Sequence, residues 1–182
     1  MCEPKYKIGL FGSLYFAGFV STVLIFPLIS DRCCGRKKII ITVLVITIIA
    51  LIGLLVTTNL IEGFVYIFLV GACAPGRAFV MLTNAIEFVT ESNKYIVTFW
   101  YLGSEPVVLI FITFWYQFID RNWFMLQLLF MIFLVLTTTL FWLLVPESPK
   151  WLYIKRRFEE SRQVIKEVAN FNSVSPEPSF QF

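Results

Sequence analysis

The chain has 182 residues, 58% of them hydrophobic and only 15% charged, with a formal net charge of +3 and a mean hydropathy of +0.80. A soluble domain of this size has too much surface per volume to hide that apolar content, so the composition excludes an ordinary globular fold. The small net charge, spread over short basic clusters, excludes a nucleic-acid partner, and the absence of His removes the commonest general base and metal ligand; the residues offer no catalytic, cofactor or metal constellation.

In a bilayer each backbone amide must be satisfied within its own helix, and about 20 apolar residues cross the hydrocarbon. A short polar N-terminus, 1–7, precedes five apolar runs at 8–29, 39–58, 63–89, 95–119 and 123–145. The first run begins too near Met1, and is too long, for a cleaved signal peptide. The expected fold is all-α: a five-helix transmembrane bundle with tight connections. Lys and Arg stay on the cytoplasmic side. The first loop carries Arg32, Arg36, Lys37 and Lys38, and the segment after the fifth run carries Lys150, Lys155, Arg156 and Arg157. The other side has only Lys5, Lys7 and Arg121, so the carboxyl end is expected on the positive, cytosolic or matrix side. Cys2, Cys33, Cys34 and Cys73 form no disulfide framework. They read as free thiols, with lipidation of Cys33 or Cys34 as a second reading. Trp123 and Trp151 suit an interfacial aromatic belt.

Two charges lie inside apolar runs, Arg77 in the third and Glu105 in the fourth, and a charge at such depth is paired or functional. The hairpin turns near Asn93, about 16 residues after Arg77 and about 12 before Glu105, which at 1.5 Å per residue sets both at similar depth. An intramembrane ion pair is predicted, with ion or substrate binding, or contact with a partner chain or lipid headgroup, as alternatives. Pro106 should bend the fourth helix. Gly9, Gly12 and Gly18, and the glycines near Arg77, suit close helix packing within the bundle. In the segment 146–171, Phe158, Val164, Ile165 and Val168 recur at helical spacing among charged residues, predicting an amphipathic helix on the cytosol/matrix side. Residues 172–182 read as a polar tail.

Two motifs carry a resemblance. Asp31-Arg32-Cys33-Cys34-Gly35-Arg36-Lys37 resembles the D-R-x-G-R-[RK] loop between helices two and three of the major facilitator superfamily. Pro146-Glu147-Ser148-Pro149-Lys150-Trp151-Leu152 resembles the P-E-S-P-[RK]-W-L after helix six in its sugar and organic-ion branches. Gly71, Gly76 and the stretch ending at Glu87 resemble helix four of the organic cation transporters. The resemblance implies helices two to six of the amino-terminal six-helix repeat, without helix one or the second half. It also implies that Asp31, Arg32, Gly35, Arg36 and Lys37, with Glu87 and the segment Pro146 to Lys150, form clips that hold an inner gate. Physically, Glu87 and Glu147 are the natural carboxylate partners of the basic turn. The pattern departs from the family in two residues (Cys33, Cys34) between Arg and Gly, in Pro27 and Ile67 at positions usually Gly and Arg, and in Arg77.

Three functions remain open. One is a non-transporting structural subunit of a larger membrane complex, for which the mitochondrial inner membrane is one home. A second is half of a solute carrier for organic ions or sugars. The third is a piece of a longer transporter, against which the initial Met weighs. The expected partners are the bilayer, other membrane-protein subunits, and lipid at Arg77 or the basic loops; no cofactor, nucleic acid or enzymatic activity is expected.

Overall fold

A computed structural model describes residues 5–171, without the side chains of Lys5, Cys33 and Cys34; the polar tail and Cys2 lie outside the described residues. Every regular element among them is helical: α1 (Lys5–Thr22), α2 (Ile25–Ile29), α3 (Arg36–Val56), α4 (Leu60–Pro75), α5 (Met81–Glu87), α6 (Lys94–Phe118), α7 (Trp123–Leu144), α8 (Pro149–Ile154) and α9 (Phe158–Phe171). Short π turns follow α2 at Ser30–Cys34 and α4 at Gly76–Val80, and a 3-10 turn, Glu91–Asn93, leads into α6. Five stretches are long and apolar enough to cross a membrane: Tyr6–Arg32, Arg36–Val56, Leu60–Glu87, Glu91–Phe118 and Trp123–Leu144. The chain is an all-α, multi-pass membrane protein.

Helix ends extend past the apolar runs because polar first turns suit them. Arg36–Lys38 form the charged start of α3, and Glu62 sits in the first turn of α4, where the helix dipole favours a carboxylate. Glu62 accepts from Thr57 Oγ1 at 2.6 Å and Asn59 Nδ2 at 3.3 Å, tying the short α3–α4 link. Asn122 caps α7 by accepting from the Phe124 amide at 3.1 Å.

Two spans change register part-way. Pro75 has no amide hydrogen and its ring crowds the preceding turn, and the chain responds with the π turn immediately after it. At Ser30–Cys34 the π turn takes up one more residue per turn than an α-helix. It therefore absorbs the second cysteine of the Asp31–Gly35 loop.

The bundle is organised around α3. Ile40, Val43 and Thr47 are fully buried, and Ile39, Leu44, Cys73 and Val80 complete a core against which Leu134 and Phe141 of α7 pack. Thr47 satisfies its hydroxyl by donating to the Val43 carbonyl at 2.7 Å. Helices α1 and α4 approach so closely at one crossing that no side chain fits there: a Cβ on Gly18 would lie 2.3 Å from the Phe68 carbonyl oxygen, and one on Gly71 would lie 2.1 Å from that of Tyr15. Thr22 Oγ1 donates to the Ala72 carbonyl across the same seam at 2.6 Å. Gly9 and Gly12, by contrast, face open space. Helix α6, which contains Pro106, buries none of its residues and stands at the edge of the bundle.

Helices α8 and α9 form a separate small layer. α8 ends with Arg156 in the left-handed region (φ 59°), the Arg156 amide donating to Tyr153 and the Arg157 amide to Leu152, both at 3.0 Å. Trp151, Leu152 and Val164 are buried there with Phe88 and Val168. The amphipathic segment thus docks on the bundle; Trp151 is only 7% exposed, a core residue rather than a member of an interfacial belt.

The close α1–α4 seam predicts that Gly71→Val or Gly18→Val destabilises the bundle by about 1–3 kcal/mol, because the clash is with backbone. Unfolding titrated with denaturing detergent should show this loss, and Gly12→Val should leave the midpoint unchanged.

Candidate functional site

The motif residues meet at one end of the bundle, where the π turn, α3, the end of α5 and the start of α8 converge. Gly35 is the pivot. Its φ of 86° belongs to the region that only glycine enters freely, and a Cβ there would lie 2.5 Å from Glu147 Oε2. With that space open, Glu147 reaches the first turn of α3 and accepts from the amides of Arg36 at 2.8 Å and Lys37 at 3.0 Å. Those amides have no partner inside the helix, so a carboxylate 110 residues away serves as the cap of α3. Lys37 contributes its backbone only.

The Arg36 side chain turns inward. It pairs with Glu87 at the end of α5 and reaches Asp31 at 3.2 Å. The side chains of Arg36 and Glu87 are 9% and 7% exposed, so each depends on the other for charge compensation, whereas Asp31 is 61% exposed. Glu87 also accepts from the Ser148 hydroxyl, whose oxygen in turn accepts from the Trp151 amide at 3.2 Å and caps α8. Pro149 occupies the first helical position after it, where a missing amide costs nothing. Trp151 Nε1 donates to the Asp31 carbonyl at 3.2 Å and Lys155 Nζ to the Arg32 carbonyl at 2.5 Å. Pro146 precedes Glu147 in the link between α7 and α8, and Lys150 is exposed on α8. Three helices and a turn are thereby tied by charge-assisted bonds, which are about twice as strong as neutral ones.

Sequence reasoning located the carboxylates but not their division of labour: Glu147 takes backbone amides, while Glu87 takes the guanidinium. Trp151 and Lys155 escaped it because they bind carbonyls, and carbonyl acceptors leave no trace in residue type.

The ion pair expected in midspan is absent. No salt bridge joins Arg77 and Glu105 among the described residues; Glu105 is exposed on α6, and the buried Arg77 Nε has no acceptor among the described residues. Equal depth sets one coordinate only, and the π turn that contains Arg77 changes which way its side chain leaves the helix axis. What links the two helices here is Tyr101 of α6, whose hydroxyl donates to the carbonyls of Arg77 at 3.1 Å and Ala78 at 3.0 Å.

The Major Facilitator Superfamily profile matches residues 5–180. The chain belongs to the major facilitator superfamily. Among its relatives, solute carrier family 22 member 4 of Mus musculus is 29% identical over 181 residues, which cover 96% of this chain and 31% of that protein. Organic cation/carnitine transporter 2 of Homo sapiens is 32% identical, covering 96% of this chain and 31% of its own length. Organic cation/carnitine transporter 4 of Arabidopsis thaliana is 27% identical, covering 94% and 32%. The chain therefore spans about a third of the length of these transporters.

Because Arg36 and Glu87 are buried together, Arg36→Met should strand the carboxylate and cost about 3–5 kcal/mol, while Arg36→Met combined with Glu87→Met should recover most of that loss. A double-mutant cycle on unfolding free energies would display this coupling, and additive effects would exclude it.

Proposed function

We propose that this chain acts in solute transport, as the gated helix bundle on one side of a carrier for organic cations or zwitterions. The observation that carries the reading is the intact clip. A charge network tying a loop, two bundle helices and a peripheral helix is more than packing requires, since burying the Arg36–Glu87 pair stabilises little by itself. A network with an exposed member, Asp31, and backbone caps that can be released suits an element that opens and closes. Two of the relatives, organic cation/carnitine transporters, agree with the substrate class.

In carriers of this type substrate sits near the midplane between two halves. On this reading Arg77, Tyr101 and Glu105 belong to the wall facing that space. Glu105, exposed in midspan on a helix that buries nothing, is placed to meet a cationic group, and Arg77 an anionic one. A second half is then required, on the same polypeptide or another. The end rich in Lys and Arg, with the carboxyl segment, faces the cytosol or matrix.

Proteoliposomes containing this chain with a complementary transporter half should take up carnitine or an organic cation. Glu147→Gln or Asp31→Asn should lower uptake at least roughly tenfold, equivalent to about 1.4 kcal/mol in the gate equilibrium. Unaltered uptake in these variants, or purification of the chain only with unrelated membrane subunits and no uptake, would favour a structural subunit instead.

A further inference from the structure

A recess borders the clip and shares Glu147 and Trp151 with it. It encloses about 510 Å³ between the first two turns of α3, the end of α7 and helices α8 and α9. Its apolar lining includes Ile41, one helical turn along α3 from Lys37, and the exposed Trp142 on the last turns of α7. Its polar lining is Lys37, Lys38, Arg157 and Gln163 together with Glu147, Glu160 and Glu167. An apolar lining beside ammonium groups, at the point where a span ends, matches the boundary between hydrocarbon and headgroups.

The charges in this recess are not equivalent. Glu147 is committed to the α3 amides, Glu160 takes Arg157 in a two-point contact at 2.7 and 2.5 Å, and Glu167 accepts from the Gln163 amide at 3.1 Å. Lys37 and Lys38 have no carboxylate partner among the described residues, although they lie next to three. Two unmatched ammonium groups at the start of a helix, above a tryptophan, lack only an anion. Glu160 and Glu167 on the opposite wall would repel a highly charged one. We infer that this recess binds the phosphate diester of an anionic phospholipid, with Lys37 and Lys38 on the phosphate and the acyl chains running down past Ile41 and Trp142. The site would couple lipid composition to the clip, because Lys37 also presents its amide to Glu147. This inference does not depend on transport.

The full chain, purified in mild detergent, would be examined by native mass spectrometry with phosphatidylglycerol and, separately, phosphatidylcholine. One phosphatidylglycerol should be retained in preference to phosphatidylcholine. Lys37→Gln/Lys38→Gln should weaken retention at least roughly tenfold, at about 1 kcal/mol per basic residue. Lys150→Gln/Lys166→Gln, equal in charge removed but outside the recess, should leave it unchanged. Because Lys37 caps through its backbone, the double variant should keep the wild-type unfolding midpoint in detergent, which separates lost binding from lost folding. Displacement of the lipid by millimolar inorganic phosphate would reassign the recess to a free phosphate. Equal retention of both lipids, or equal loss in both double variants, would overturn the proposal.

Discussion

Glu147, in the link between α7 and α8, satisfies the backbone that the start of α3 leaves open. The first turn of α3 exposes amides with no partner inside the helix. A carboxylate delivered from beyond α7 satisfies two of them at once. For that delivery to succeed the chain must turn sharply just before α3 without a side chain in the way, and glycine, at Gly35, is the only residue type that allows both the turn and the approach. The other contacts of the clip depend on that constraint. With α3 fixed, Arg36 points inward to Glu87, Glu87 recruits Ser148, and Ser148 starts the helix that docks α9 onto the bundle.

Within the span region the stabilising logic is different. Lipid tails are as apolar as Leu, so burial of apolar side chains gives helices little reason to associate, and close approach and interhelical hydrogen bonds matter more. The α1–α4 seam uses glycines and the Thr22 hydroxyl, while α3 is held by side-chain packing on both sides. Helix α6 shares neither device. It is attached through the Tyr101 hydroxyl to a π turn and through the Phe111 ring against Phe130 of α7, and it buries none of its residues.

Most of the fold was legible because the bilayer admits so few solutions: an apolar run of 20 or more residues must be a helix, and charges must fall at its ends. The clip was legible for a related reason, since glycine, proline and acidic residues at fixed offsets have specific backbone consequences. Two things were not. The π turns cannot be read from composition, because an extra residue in a turn looks like an insertion in a loop. The Arg77–Glu105 pairing failed for the same cause. Counting residues gives depth along a membrane helix, but each added residue also rotates the rest of the helix by about 100°, and azimuth decides which groups meet. Lys37 was expected to act as a charge in the clip and instead supplies an amide there, which leaves its ammonium for another task.

The most direct test of the capped geometry is amide hydrogen exchange, resolved by residue, at Arg36 and Lys37 in the intact protein. First-turn amides of an ordinary helix exchange fast. Capping by Glu147 predicts that both are slow in the wild-type chain and become fast in Glu147→Ala, with amides in the middle of α3 unaffected. Fast exchange at both positions in the wild-type protein would contradict the cap, and with it the arrangement that orients Arg36, Glu87 and Ser148.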